Sequence, residues 1–220
     1  MNLKKASFMM TIITLLSSCT EQNQLLEAQK QEKELQAQFA LWKSQNHEYA
    51  EKYERYLAKN LKNPPNLFDL SINRHLFRPQ TKPECFQYRF SIVPESEWKN
   101  IIQPFKLMEK LQQQNIIGQY KITSTYRSPK ANTCSRGAKA SKHLHNYAVD
   151  FQLLDKNNQP LKEINIVMQQ HICNFWLKHG KSHSMGLGTY QHNKFHIDTN
   201  GYRTWGITFK RDSSLCLIKH

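Results

Sequence analysis

From residue 21 to about residue 62 the chain holds neither glycine nor proline, and it then runs into Asn63-Pro64-Pro65-Asn66. The stretch is rich in Gln, Glu, Lys and Ala, which are good helix formers. Leu35, Phe39, Trp42, Asn46, Tyr49, Tyr53 and Tyr56 recur at a 4-3-4-3-4-3 spacing, which sets them on one stripe of a helix. Asn46 is the single polar member of that stripe. A helix of that length would reach roughly 60 Å at about 1.5 Å per residue. Consecutive prolines end it, because proline lacks the N–H and restricts the residue before it. The chain is thereby divided into a helical arm, residues 19–63, and a domain, residues 64–220. The stripe requires a cover: a fold-back onto the domain, or coiled-coil self-association through residues 21–62.

The beginning sets the compartment. Residues 1–18 have a basic start at Lys4 and Lys5, then an apolar run from Phe8 to Leu16 that is too short to span a bilayer. That is the shape of a secretory signal peptide. Leu16-Ser17-Ser18-Cys19 resembles the lipobox of bacterial lipoproteins, in which Cys19 becomes the lipid-modified first residue. Thr20 stands where an Asp would resemble an inner-membrane retention signal. The expected location is therefore the periplasm, lipid-anchored, with the outer membrane favoured over the inner.

The formal net charge is +14, and it falls by two when Lys4 and Lys5 leave with the signal. A basic exported protein suits anionic envelope polymers or lipid headgroups. With no base-reading motif beside the charge, nucleic acid is not an expected partner. Four cysteines remain after Cys19: Cys85, Cys134, Cys173 and Cys216. An oxidising compartment favours disulfides, and four cysteines allow three pairings, which the sequence leaves open.

The domain is of single-core size. Phe86, Tyr88, Phe90 and Ile92 alternate as a half-buried strand would, and residues 94–114 read as a helix that Pro104 breaks into two pieces. Residues 120–125 are strand-like and lead through Tyr126-Arg127-Ser128-Pro129 into a polar loop. A helix over 161–178 follows a turn-rich break, with His171 assigned to its apolar face.

Two stretches carry the chemistry. SKHLHNYAVD (141–150) sets His143 and Asp150 seven residues apart, with the aspartate entering an apolar run. A carboxylate in such a run is costly unless a cation pairs with it. Imidazole and carboxylate are both first-choice zinc ligands, and a catalytic zinc takes three protein ligands and keeps one position open. KFHID (194–198) supplies the third: in a strand His196 and Asp198 share a face, with Phe195 and Ile197 on the other.

SKHLHNYAVD is similar to the S-x-H-x-x-G-x-A-x-D motif of the zinc D-Ala-D-Ala metallopeptidases, the superfamily that includes the hedgehog signalling domain. MGLGTYQHNKFHIDTNGYRTW resembles the G-x-G-x-Y, H-x-D and Trp pattern of its murein-endopeptidase branch. The resemblance covers roughly residues 70–209. It implies zinc as cofactor, with His143, Asp150 and His196 as ligands, Arg127 as the arginine that contacts substrate or polarises its carbonyl, and Ser141 as a supporting serine. The motif glycine is Asn146 here, a residue that tolerates positive φ better than other non-glycines. Positions 191–194 (QHNK) lack the acid that peptide-cutting relatives often carry there, which leaves Asp198 and His192 as candidates for the catalytic base. Asp198 has the alternative of orienting His196 from behind. His145 receives no ligand role.

The fold expected is α+β, an antiparallel sheet with flanking helices carrying the zinc site, preceded by the long N-terminal helix. The function implied is hydrolysis of amide bonds in peptidoglycan stem peptides or cross-links, endopeptidase preferred over D-Ala-D-Ala carboxypeptidase. The alternative is a non-catalytic, zinc-stabilised lipoprotein that binds or scaffolds the cell wall.

Overall fold

The computed structural model describes residues 22–23, 26–27, 29–161 and 165–217. Residues 1–18, expected to be a signal peptide, and Cys19 lie outside them. Among the described residues no helix is long and apolar enough to cross a membrane. The chain divides into two units between His47 and Glu48.

In the first unit residues 29–45 are helical (α1), with Phe39 and Trp42 stacked at 5.6 Å. The helix stops where the apolar stripe is interrupted: Asn46 forms a turn, and its Nδ2 donates to the Trp42 carbonyl at 2.8 Å.

The second unit opens in α2 (His47–Asn60), which buries Ala50, Tyr53 and Leu57 at helical spacing. Tyr49, Tyr53 and Tyr56 gather around Trp98, with ring centroids 6.3, 5.0 and 5.4 Å from it. This half of the stripe is therefore covered by the same chain. The packed unit begins at Glu48, ahead of the Pro64–Pro65 break at which the sequence suggests a boundary.

α3 (Leu67–Ser71) is capped by Asn66, whose side chain accepts from the Asp69 N–H. The strand expected over 86–92 does not form. Pro83–Tyr88 is a 3-10 helix stapled by Cys85–Cys134, and only a single bridge, Ile72 to Phe90, remains. The alternation misleads because Phe86 and Ile92 are exposed, and Phe86 and Phe77 flank the Arg89 guanidinium instead of entering a core. Residues 95–113 are two pieces, as expected: a 3-10 helix Glu95–Ile101 and α4 (Ile102–Gln113). Pro104 lies in the first turn of α4, where an N–H would have no intrahelical partner. α5 (Pro129–Cys134) begins on a Ser128 cap, and α6 (Ile166–His179) buries Ile172, Phe175 and Trp176. His171 is exposed beside that face rather than on it. The second disulfide joins Cys173 of α6 to Cys216.

One five-stranded sheet organises the unit: β1 (Tyr120–Ser124), β2 (Ala148–Leu153), β3 (Gly186–Tyr190), β4 (Lys194–Asp198) and β5 (Arg203–Trp205), in the order β1-β2-β4-β3-β5. All pairings are antiparallel except β3 with β5. Alternation gives the sheet two unlike faces. Val149, Phe151, Leu153, Leu187, Phe195 and Ile197 are buried on one, where α4 packs against β2. The other carries Asp150, His196 and Asp198, with Gly186 and Gly188 beside them.

Candidate metal centre

Asp150 and His196 are direct partners across the β2–β4 ladder. His143 arrives from the 3-10 turn Lys142–His145, which Ser141 caps by accepting the His143 N–H. The turn closes at Asn146, whose φ of 56° lies in the left-handed region and returns the chain to β2. Asn146 thus meets the conformational demand of the motif glycine. It adds a contact glycine cannot make, donating from Nδ2 to the Glu97 carbonyl at 3.2 Å.

His143, Asp150 and His196 each offer one donor atom, all within 4.8 Å of one another. His143 Nε2 is 3.2 Å from His196 Nδ1 and 3.1 Å from Asp150 Oδ1; His196 Nδ1 is 2.8 Å from the same oxygen. The far nitrogens fix the tautomers. His143 Nδ1 donates to the Thr125 carbonyl, and His196 Nε2 donates to Asp198 Oδ2 at 3.1 Å. Neutral imidazoles so held turn their lone pairs toward each other and toward a carboxylate oxygen. Three acceptors then converge with no donor among them, an arrangement that a cation relieves. Tetrahedral ligands at about 2.0–2.2 Å from zinc would be roughly 3.3–3.6 Å apart, slightly wider than the spacings found.

The electrostatics favour that proton-free state at His143 and Asp150 and oppose it at His196. Burial, then Arg127, push the His143 pKa down to about 4, so its imidazole is neutral at pH 7. Burial opposes ionisation of Asp150, yet His143 and Arg127 hold it well below the usual carboxylate range. For His196 burial also opposes the charge, but hydrogen bonds to Asp150 and Asp198 outweigh it and raise the pKa.

Arg127 is buried, and its guanidinium is bound to Asp150 Oδ2 and to Ser124 Oγ, the latter at 2.8 Å. The register shift between Ile122 and Ser124 makes this possible: it sets Ser124 opposite Asp150. Bulges of this kind recur next to active sites because they re-aim side chains. Arg127, expected to contact substrate or polarise its carbonyl, is paired here with the Asp150 carboxylate.

The two candidate bases lie in unlike surroundings. Asp198 is 0% exposed, and its oxygens take up Arg203, His196 and the Asn200 N–H. It is held between His196 and Arg203. His192 is exposed in the β3–β4 turn, four residues from His196, where its carbonyl accepts from Gln152. His145 is exposed and faces Glu97.

Tyr190 and Trp205, which the sequence offered only as the Tyr and Trp of the second motif and without a role, belong to the site. Tyr190 lies on the site face, its hydroxyl accepting from Trp205 Nε1 at 2.8 Å, and the Trp205 ring is 5.0 Å from that of His196. Burial, then the Asp150 charge, raise the Tyr190 pKa, so the phenol keeps its proton. The glycines of MGLGTY make room: a Cβ on Gly186 would lie 2.3 Å from Asp198 Oδ2, and one on Gly188 would lie 2.8 Å from Trp205. The G-x-G spacing is the signal that could have exposed both contacts.

Three converging ligand atoms with a buried carboxylate behind one of them could hold a single metal ion. A family model described as Peptidase M15 matches residues 85–198, more than half of the chain and all three ligands. The chain belongs to the Peptidase M15 family, a family of metallopeptidases. No curated protein and no solved structure matches it significantly.

Proposed function

We propose that this protein is a zinc peptidase that hydrolyses amide bonds in peptidoglycan, at cross-links in preference to terminal D-Ala. The observation that carries the reading is the convergence of three ligand atoms, from the His143 and His196 imidazoles and the Asp150 carboxylate, inside a Peptidase M15 match. The preference for cross-links rests on MGLGTY and KFHID, which resemble the endopeptidase branch.

Zinc bound there would lower the pKa of a bound water toward about 7 and polarise the scissile carbonyl. The chain's own residues do the rest. Thr125 and Asp198 fix the two imidazoles, and Arg127 fixes Asp150, so the donor set needs little reorganisation. Tyr190 keeps an O–H that Trp205 does not use, since Trp205 is itself the donor in their hydrogen bond. That proton is available to the substrate carbonyl oxygen as negative charge develops on it. Trp205 walls one side of the His196 ring.

The compartment belongs to the same proposal: signal removal, lipidation at Cys19 and tethering in the periplasm, on the outer membrane in preference to the inner. Its support is the sequence of residues 1–19 and the net positive charge, suited to an anionic wall.

The test is digestion of isolated peptidoglycan by purified, zinc-loaded protein, with the fragments identified by mass spectrometry. Release of cross-link halves is the expected result. Saturable wall binding without cleavage, zinc being bound, would leave the non-catalytic scaffold as the better reading.

A further inference from the structure

Behind the outer oxygen of Asp150 stands a histidine that lies before the family-matched segment and has no assigned role. His75 sits in the 3-10 helix Arg74–Phe77, and its Nε2 is 3.7 Å from Asp150 Oδ2. That nitrogen is buried and has no hydrogen-bond partner. The other ring nitrogen, Nδ1, faces Nη2 of Arg78 at 3.0 Å. A guanidinium can only donate, so Nδ1 must accept, and the ring's proton must be on Nε2. His75 therefore aims a fixed N–H toward the metal-site carboxylate.

The placement is built into the fold. Arg74 donates from Nε to the Ile122 carbonyl at 3.2 Å. Asn73, 0% exposed, accepts from Ser124 Oγ at 3.2 Å and donates to the Tyr88 carbonyl at 2.9 Å. Both residues before His75 are thus tied to β1, the strand whose bulge also positions Arg127 for Asp150. An unsatisfied buried N–H is costly to a fold, and one so firmly anchored calls for an acceptor.

We propose that His75 is a positioning residue of the metal centre: beside Arg127, which holds Oδ2 of Asp150, it faces the same oxygen with its Nε2–H across 3.7 Å and so helps reserve Oδ1 as the single oxygen offered to the ion. Oδ1 is the oxygen that already faces both ligand histidines, at 3.1 and 2.8 Å. The inference rests on the metal-site part of the reading above and not on peptidase activity.

The experiment compares zinc affinity, by competition with a chromophoric chelator, in the full chain and in H75L and H75Q. A glutamine amide can put an N–H near the position of Nε2; leucine cannot. The zinc Kd is expected to rise roughly tenfold in H75L, the lower end for loss of a group that orients a ligand, and to stay within about threefold in H75Q. With Co(II) in place of zinc, H75L should also show weaker visible bands, as a second carboxylate oxygen enters the coordination sphere, while H75Q keeps the parent spectrum. Should H75L fail to fold, H75N replaces it, since an asparagine amide falls short of Nε2. Equal affinities in all variants would overturn the proposal, and so would equal losses in H75Q and the variant without the donor, which would show mere packing. A parent protein that binds no zinc would overturn this and the metal site together; one that binds zinc and cuts no substrate tells against the peptidase alone.

Discussion

Arg203 grips Asp198 through both guanidinium nitrogens, Nη2 to Oδ2 at 2.6 Å and Nη1 to Oδ1 at 3.1 Å. The same Oδ2 accepts from His196 Nε2, so charge is relayed from a half-exposed arginine, through a fully buried carboxylate, to a ligand imidazole. Asp198→Asn should lower zinc affinity about 10- to 100-fold, the usual range for loss of a group that orients a ligand. Chelator competition checks it. A proton-transfer role would instead spare zinc binding and lower kcat alone, by about 10²–10⁴.

Gly186 should be intolerant of any side chain. Its added Cβ would meet Asp198 Oδ2 at 2.3 Å and Arg203 Nη1 at 2.9 Å, and Asp198 is too firmly held to retreat. Gly186→Ala should cost about 1–3 kcal/mol, as overpacking does, and weaken metal binding along with it. Thermal unfolding of the metal-free protein reads the first effect; an unchanged midpoint would refute it.

Metal uptake should expel one proton, and that proton should come from His196. Its pKa is raised, so it is charged in mildly acid solution, whereas His143, at about 4, is already neutral and Asp150 is already ionised. A ligand imidazole must be neutral, so affinity should rise roughly tenfold per pH unit while His196 is protonated in the metal-free state. It levels off above the His196 pKa. Titration calorimetry in buffers of different ionisation enthalpy should give about one proton per ion between about pH 5 and 6. Two protons in that window would mean that His143 is also charged.

Asn146 can be tested against both the residue it replaces and a neutral one. Asn146→Ala should cost about 2–3 kcal/mol, combining left-handed strain of roughly 1–2 with a lost hydrogen bond of about 1. Asn146→Gly avoids the strain and should cost less. Denaturant titration ranks them; glycine less stable than alanine would contradict the backbone argument.

The ligands were legible because their signal is local. A turn motif and an alternating strand each declare two residues within ten positions, and the strand period alone sets His196 and Asp198 on one face. The supporting groups were not legible. His75 reaches Asp150, and Glu97 reaches Asn146, from segments of 3-10 structure without a period to betray which side chains point inward. The strand expected at 86–92 failed for a related reason. An alternating pattern records what a segment could bury, and here a disulfide and an arginine between aromatic rings fixed the chain otherwise. His171 was misplaced by one helical step, since Ile172, Phe175 and Trp176 define the inward side.

The pairing of Asp150 with His196 across the β2–β4 ladder has a consequence for how the protein matures. A one-residue slip of β4 would turn His196 to the apolar face and bring Phe195 or Ile197 to the metal side. A slipped chain has lost one of its three ligands. An ion held by all three ligands would favour the aligned register over a slipped one, because a ligand stabilises only the state that binds it.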